Sequence, residues 1–164
     1  MAQEFSFDVV SEYDKQELTN ALDQARRELA TRYDFKGTDA QIEHKGSTLV
    51  VEASTEDRAR AAVQVLVEKA VRRQLSAKLF KADEARTVGK GRGQIEVKLN
   101  AGISDDLAKS LAKKAREVAP KAQVRIQGDQ VRVTSKEKNA LQAVIARLRD
   151  DESIPVPLQF TNYR

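Results

Sequence analysis

Hydrophobic and polar residues alternate in several short runs, which is the pattern of half-buried β-strands. Phe5, Phe7 and Val9 alternate with their neighbours, so every second side chain of this run faces one side. Two runs flank Lys45-Gly46-Ser47 and two more flank Gly128-Asp129, and each pair predicts a hairpin with glycine at its turn. The predicted strands lie at 5–10, 40–44, 48–53, 79–80, 94–99, 124–126, 131–133 and 158–163.

Four longer segments repeat hydrophobic residues at spacings of three and four, which places these residues on one helical face. The first begins after Asp14, three residues before Glu17, in a capping-box arrangement. The third begins after Ser104, a favourable N-cap, and ends before Pro120. The predicted core positions of the four helices are Leu18, Leu22, Ala25 and Leu29; Ala59, Ala62, Val63, Leu66 and Ala70; Leu107, Leu111, Ala115 and Val118; and Leu141, Val144, Ile145 and Leu148.

The elements occur in the order strand, helix, hairpin, helix, strand, and this order then repeats. It predicts an α+β fold, a tandem duplication of ferredoxin-like βαββαβ units of about 82 residues each. Each antiparallel sheet would carry its helices on one face and leave the other face open. The first repeat is predicted at 1–88 and the second at 89–164, with the boundary in the glycine-rich segment 86–93.

Charge is distributed unevenly along the chain. The 164 residues include 29 Lys and Arg and 25 Asp and Glu, for a net charge of +4. Residues 1–76 carry −3 and residues 77–164 carry +7. The outward positions of the second half include Lys98, Arg125 and Arg132 against Glu96, so this sheet face is predicted to be basic. The corresponding face of the first half is predicted to be acidic, and a phosphate-bearing ligand is therefore expected on the second.

Composition excludes several classes of site. The chain has no cysteine and a single histidine, His44, so disulfides, thiolate metal sites, two-histidine metal sites and a histidine proton relay are excluded. His44 lies beside a turn without a positioned partner, and the paired carboxylates have structural explanations, so no catalytic residue, metal site or cofactor is predicted. The protein is expected not to be an enzyme. With no secretion signal and no apolar stretch of membrane length, a cytoplasmic protein with no membrane partner is expected.

Two segments have both a structural and a functional interpretation. Gly89-Lys90-Gly91-Arg92-Gly93 is explained by an interdomain linker, or by backbone amides and cations that contact phosphate. The segment 32–37 alternates aromatic and cationic residues, and it either closes the core or forms a corner that stacks a base and pairs with phosphate. Recognition of RNA by base stacking is disfavoured, because the central strands of the second half contain no aromatic residue. Salt-sensitive phosphate binding stays open.

Several segments resemble the YajQ family of bacterial proteins. They are Ser6–Glu12, Arg32–Thr38, Ile126–Thr134, Leu141–Ile145 and the ending Pro157–Arg164, and they span the chain in the order of the family. The resemblance implies two ribonucleoprotein-like ferredoxin folds in tandem, with their first strands exchanged. The strand at 5–10 would then lie in the sheet of the second repeat, and the strand at 94–99 in that of the first.

The resemblance also implies a function. Members of the family are described as nucleotide-binding proteins, and some as receptors for cyclic di-GMP that engage transcriptional regulators. We therefore expect a non-enzymatic regulatory protein that binds cyclic di-GMP, with GTP and ATP as further nucleotides to compare. Its candidate phosphate ligands are Arg125, Arg132 and Arg164. Phe35, with Arg32 or Lys36, is the candidate for holding a guanine. The alternative is an RNA- or tRNA-associated protein that uses the basic second repeat as a phosphate platform.

Overall fold

The alternating runs form strands and the periodic segments form helices, as predicted. The computed structural model describes residues 3–32 and 39–164. Within these residues there are four α-helices and nine β-strands. Their bounds are β1 Phe5–Val10, α1 Lys15–Thr31, β2 Gln41–Lys45, β3 Thr48–Ala53, α2 Glu56–Arg72, β4 Phe80–Ala82, β5 Arg86–Val88, β6 Arg92–Leu99, α3 Asp105–Val118, β7 Gln123–Gln127, β8 Gln130–Ser135, α4 Lys138–Arg149 and β9 Gln159–Thr161.

The helix ends follow the predicted capping residues. The Asp14 carboxylate accepts hydrogen bonds from the backbone N–H groups of Gln16 and Glu17, at 2.9 and 3.1 Å. The Ser104 hydroxyl accepts one from the N–H of Leu107 at 3.2 Å. These side chains satisfy N–H groups that have no partner within the helix. One predicted core position is wrong, because Val118 is 39% exposed in the last turn of α3.

The strands form two antiparallel sheets, and each sheet contains the first strand of the other repeat. One sheet has the order β7-β8-β1-β9, and the other has the order β2-β3-β6-β4, with β5 also paired to β6. In both sheets the first strand lies between the third and fourth strands of a ferredoxin-like unit, but β1 has joined the second repeat and β6 the first. The predicted fold is confirmed, including the exchange.

Contacts divide the chain into two compact units. The first, which we call the terminal unit, combines Met1–Glu12 with Ala101–Arg164, and the second, the central unit, is Tyr13–Asn100. Each unit has its own hydrophobic core between one sheet and two helices. The predicted repeats, 1–88 and 89–164, divide the elements in chain order, whereas the compact units follow the exchanged strands. The division of the sequence into repeats at 1–88 and 89–164 stays a prediction.

The exchange also changes how charge is divided. The terminal unit has 12 basic and 11 acidic residues, and the central unit has 17 and 14, so their net charges are +1 and +3. The values of −3 and +7 for the two halves of the chain do not carry over, because the acidic N-terminal strand and the basic segment 77–100 change places. Net charge therefore does not distinguish the units, and only the charges on each sheet face can.

The glycine-rich segment is a turn within the central unit. β5 and β6 pair as antiparallel neighbours, with Val88 opposite Arg92, and Gly89–Gly91 connects them. Lys90 and Gly91 have φ values of 63° and 71°, a region that glycine adopts readily. A Cβ atom on Gly93 would collide with the backbone of the segment that begins α2. The interpretation of this segment as an interdomain linker is wrong, because it forms a hairpin inside one sheet.

None of the helices in residues 3–32 and 39–164 combines the length and the apolar character needed to cross a membrane.

Candidate functional site

The open face of the terminal unit's sheet carries two rows of side chains that run across its strands. Strand register places Arg125, Arg132, Asp8 and Thr161 next to one another in the first row. The second row is Gln123, Thr134, Ser6 and Arg164. The residues that alternate with these rows along the strands, including Phe7, Val9, Val131 and Val133, pack in the core on the other side of the sheet.

A buried carboxylate lies at the centre of this face. Asp8 is 1% exposed, and its carboxylate accepts two hydrogen bonds from Arg132, from Nε to Oδ1 at 2.8 Å and from Nη2 to Oδ2 at 3.2 Å. The side-chain amide of Asn162 donates a third to Oδ2 at 2.9 Å. This fork holds the guanidinium of Arg132 in a defined orientation, while 44% of the Arg132 side chain stays exposed.

The same contacts determine the ionisation of the pair. The hydrogen bond from Arg132 lowers the pKa of Asp8, with help from Asn162 and from the charges of Arg132 and Arg164, and these effects outweigh the opposing effect of burial. The carboxylate of Asp8 in turn raises the pKa of Arg132. Both groups are therefore charged around neutral pH, and the arginine remains a cation even though its partner neutralises part of its field.

The structure brings together three of the predicted phosphate ligands. Arg125 is exposed on β7 directly opposite Arg132 on β8. Arg164 continues the last strand, because its backbone exchanges two hydrogen bonds with Ser6, at 3.0 and 2.9 Å. This pairing places Arg164 on the same face, where its charge acts on Asp8. Three arginines thus share one sheet face with one carboxylate.

The predicted guanine-holding residues lie elsewhere in the chain. Arg32 is the C-cap of α1 in the central unit, where its Nη1 atom lies 3.3 Å from the Glu28 carboxylate. Phe35 and Lys36 lie outside the described residues. Sequence reasoning did not select Asn162, which donates to Asp8. The sequence shows only an asparagine near its end, and the structure shows that this residue follows the final strand with φ 53°.

Neither of the two rows that strand register places on the open face of the terminal unit contains an aromatic residue. Phe5, Phe7 and Phe160 pack on the helix side of the sheet, and the rings of Phe7 and Phe160 meet edge to face at 5.9 Å. Bases therefore find no stacking platform on these strands, in contrast to the usual way this fold binds single-stranded RNA. What the face offers is hydrogen-bond donors for anions.

A shallow polar groove continues the second row at one end of this face. It has a volume of about 450 Å³ and is lined by Gln123 and Thr134, by Lys121 and Lys136, and by Glu4 and Glu137. The two lysines are opposed by two glutamates, so the groove adds no net positive charge to the arginine face.

The equivalent face of the central unit has different chemistry. Register places Glu43, Val50 and Glu96 in the row that corresponds to Arg125, Arg132 and Asp8. Its two arginines have partners: Arg86 donates to the Gln94 side chain and lies 3.7 Å from Glu96, and Arg92 lies 3.8 Å from Glu52. The exchange also places Lys98 on this face and not on the predicted one, opposite Lys81. Lys98 is 59% exposed and Lys81 is exposed, so the cations that this face offers an anion are lysines beside acidic side chains.

Neither described unit presents an evident catalytic arrangement. His44 is exposed and its Nε2 atom lies 2.8 Å from the carbonyl oxygen of Gly46 in its own turn. Among the described residues, no three His, Asp or Glu side chains are grouped so that they could hold a metal ion.

Comparison with known proteins agrees with the family expected from the sequence. Residues 5–164 match the model of the family described as "Nucleotide-binding protein YajQ-like". The chain belongs to this family. It is 49% identical to a protein of Chloroflexus aggregans over the full length of both chains. It is 50% identical to one of Mycobacterium tuberculosis, with 97% of this chain and 98% of the relative covered. It is 46% identical to one of Roseiflexus castenholzii over both full lengths. All three relatives are named "Nucleotide-binding protein". These names agree with the description of the family, which also specifies nucleotide binding.

Proposed function

We propose that this protein is a non-enzymatic, regulatory nucleotide-binding protein and that the phosphates of its ligand bind the open face of the terminal unit. The observation that carries the proposal is the convergence of Arg125, Arg132 and Arg164 on one face. Guanidinium groups bind phosphate oxygens through paired N–H donors, which gives both affinity and orientation. The names of the relatives agree with a nucleotide as the ligand.

The arrangement of charge favours a ligand with two separated phosphates. Arg125 and Arg132 lie on one side of Asp8, and Arg164 lies on the other. Neighbouring strands are about 4.8 Å apart, so the backbones of Arg125 and Arg164 are roughly 14 Å apart across the sheet. Cyclic di-GMP carries two phosphates held apart by its ring and can place one in each position. The contiguous charge of GTP or ATP would have to pass over Asp8, so we expect these nucleotides to bind more weakly.

The guanine part of the proposal rests on sequence. Arg32, Phe35 and Lys36 stay a sequence-based prediction for a guanine contact, because an aromatic ring and adjacent cations suit a purine. The arginine face can bind phosphate without these residues. Substitution of Phe35 by Ala should therefore reduce selectivity for guanine over adenine ligands while affinity for inorganic phosphate is unchanged.

A binding role is supported by the state of the acid and base groups. The only histidine bonds to its own turn, and the central carboxylate of the arginine face is buried and accepts three hydrogen bonds. A general base needs access to a substrate proton, and Asp8 lacks this access. In the proposed regulatory role, the nucleotide-bound protein engages a transcriptional regulator, and bound ligand changes the affinity of that complex.

The proposal is tested by titrating the protein with labelled cyclic di-GMP, GTP, ATP and a short RNA. Cyclic di-GMP should bind most tightly, and Arg125→Ala combined with Arg132→Ala should weaken it at least tenfold. Arg86→Ala, on the equivalent face of the central unit, is the matched control and should leave the affinity unchanged. If the double variant keeps the wild-type affinity for every ligand, the assigned site is wrong.

RNA binding remains the alternative function, because the exposed arginines of the open face can also bind the backbone phosphates of a polynucleotide. Polyanion binding releases counterions, so its affinity falls steeply with salt, in proportion to the number of phosphates contacted. Titration at two salt concentrations separates the alternatives. For a compact ligand held at two positions, the plot of log affinity against log salt concentration should have a slope near that expected for two phosphates. RNA should give a steeper slope.

A further inference from the structure

Asp8 is delivered to the arginine face by the exchanged strand. It lies on β1, 124 residues before Arg132 and 154 before Asn162, and both of these residues donate to it. At 1% exposure, the carboxylate cannot contact a ligand without displacing its own partners. Asp8 can therefore influence binding only through its charge or through the residues that donate hydrogen bonds to it.

The geometry of the fork shows which donors of Arg132 stay available. A guanidinium group has five N–H donors. Asp8 accepts from Nε and from one hydrogen of Nη2, which together form the side edge of the group. The other Nη2 hydrogen and the two on Nη1 have no acceptor in residues 3–32 and 39–164, and the side chain is 44% exposed. A complete Nη1–Nη2 edge remains for a second, bidentate acceptor.

We propose that Asp8 is a positioning residue that fixes Arg132 so that its free Nη1–Nη2 edge binds a phosphate of the ligand. The inference rests on the proposed function, because it assigns to Asp8 a role in the same site. Without the fork, Arg132 would be a flexible chain whose ordering lowers the affinity for any ligand it binds. With the fork, that ordering is already present in the free protein.

Asn162 completes this arrangement. Its amide occupies the remaining accessible position on Oδ2, which keeps the carboxylate of Asp8 turned toward Arg132. The central unit has a carboxylate at the corresponding place, Glu96, but Val50 stands where Arg132 would be needed. Glu96→Gln is therefore a matched control, because it removes a carboxylate from the equivalent place where no arginine fork exists.

Coulomb's law alone predicts the opposite effect of removing Asp8. Loss of a negative charge beside an anion site should strengthen anion binding, whereas loss of a positioning contact should weaken it. The expected result for Asp8→Asn is a five- to tenfold weaker affinity for cyclic di-GMP. Glu96→Gln should leave the affinity within twofold of wild type. Tighter or unchanged binding by Asp8→Asn would overturn the inference.

A double-mutant cycle identifies the residue through which Asp8 acts. In an Arg132→Ala background, Asp8→Asn should change the affinity less than twofold; in an Arg125→Ala background it should keep its full effect. If Arg132→Ala leaves no measurable affinity, Arg132→Lys closes the cycle, because a lysine keeps the charge but cannot form the fork. Equal effects of Asp8→Asn in both backgrounds would contradict the positioning role.

The controls separate failure of this inference from failure of the proposed function. If Arg132→Ala and Arg125→Ala both leave binding intact, the site itself is wrong. If they weaken binding but Asp8→Asn does not, only the positioning role is wrong. Circular dichroism and thermal unfolding of each variant identify any loss of affinity caused by unfolding, and affinities are compared at a temperature where all variants are folded.

Discussion

The two open sheet faces have the same strand register and carry different charged side chains. Arg125, Arg132 and Asp8 form one row of the terminal unit's sheet, and Glu43, Val50 and Glu96 occupy the equivalent places in the central unit. Only the third place has a carboxylate in both rows, Asp8 in one and Glu96 in the other. Duplication and strand exchange thus produced two similar platforms, of which one gathers arginines around a buried carboxylate and the other combines lysines with acidic side chains. The difference shows that the fold alone does not make the site.

The strongest test of this comparison is charge reversal on the arginine face. Arg125→Glu with Arg164→Glu should weaken the binding of cyclic di-GMP more than about 100-fold, because two charge-assisted contacts of about 1.5–3 kcal/mol each are lost. Both side chains are exposed, so the fold should persist. Fluorescence titration with labelled ligand measures the loss. The matched control is Glu43→Arg, which changes the place equivalent to Arg125 and should leave the affinity as it was. Because this variant adds positive charge, a markedly tighter affinity would show that net charge, and not the face, controls binding.

A second test compares the stability of the two carboxylates. Arg132→Ala leaves Asp8 buried and without its main donor, which should cost about 2–3 kcal/mol in the free energy of unfolding. Arg86→Ala removes the cation nearest to Glu96, but those side chains are 64% and 44% exposed, so the cost should be below about 0.5 kcal/mol. Urea unfolding of both variants checks the difference. Equal losses in the two variants would mean that the hydrogen bonds from Arg132 to buried Asp8 stabilise the fold no more than an exposed ion pair does.

Sequence patterns predicted the elements well because they are local. The two-residue period separated Arg125 and Arg132 from the core positions on either side of them, and both lie on the open face. The exchange of β1 and β6 has no local signal, since both strands alternate in the same way; it came from the family resemblance. The fork between Asp8 and Arg132 depends on that exchange and joins residues 124 positions apart. Periodicity therefore placed the arginines but could not show that one of them is held.

Acidification should affect the terminal unit before the central one. In the terminal unit, Asp151 accepts hydrogen bonds from Lys114 at 2.6 Å and Arg147 at 2.7 Å, and the bond from Lys114 is the largest cause that holds the pKa of Asp151 far below its ordinary value. A carboxylate with a lowered folded-state pKa stabilises the fold above about pH 4, and this stability is lost as the pH falls through the lowered value. Asp8 adds to this effect in the same unit.

The central unit also has carboxylates with lowered pKa values, Glu17 and Glu28, but their side chains are 31% and 30% exposed, against 10% for Asp151. Amide signals of α3 and α4 should therefore be lost at a higher pH than those of α1 and α2 when NMR spectra are followed from pH 5 to pH 2. Asp151→Asn should lower the stability at pH 7 and flatten its dependence on pH. Simultaneous loss of both sets of signals would contradict the difference between the units.

The smallest expected effect concerns a feature that the two units share. Gly46 and Gly128 begin the two-residue turns of the equivalent hairpins, with φ values of 59° and 63°, and a Cβ atom at either position would enter open space. Alanine should therefore cost only its left-handed backbone strain, about 1 kcal/mol at each turn. Gly93→Ala is the contrasting variant, because its Cβ atom would meet the backbone. Urea unfolding should give nearly equal losses for Gly46→Ala and Gly128→Ala and a larger one for Gly93→Ala. If the two turns differ by more than about 1 kcal/mol, the hairpins are not equivalent, and the comparison between the two faces loses its structural basis.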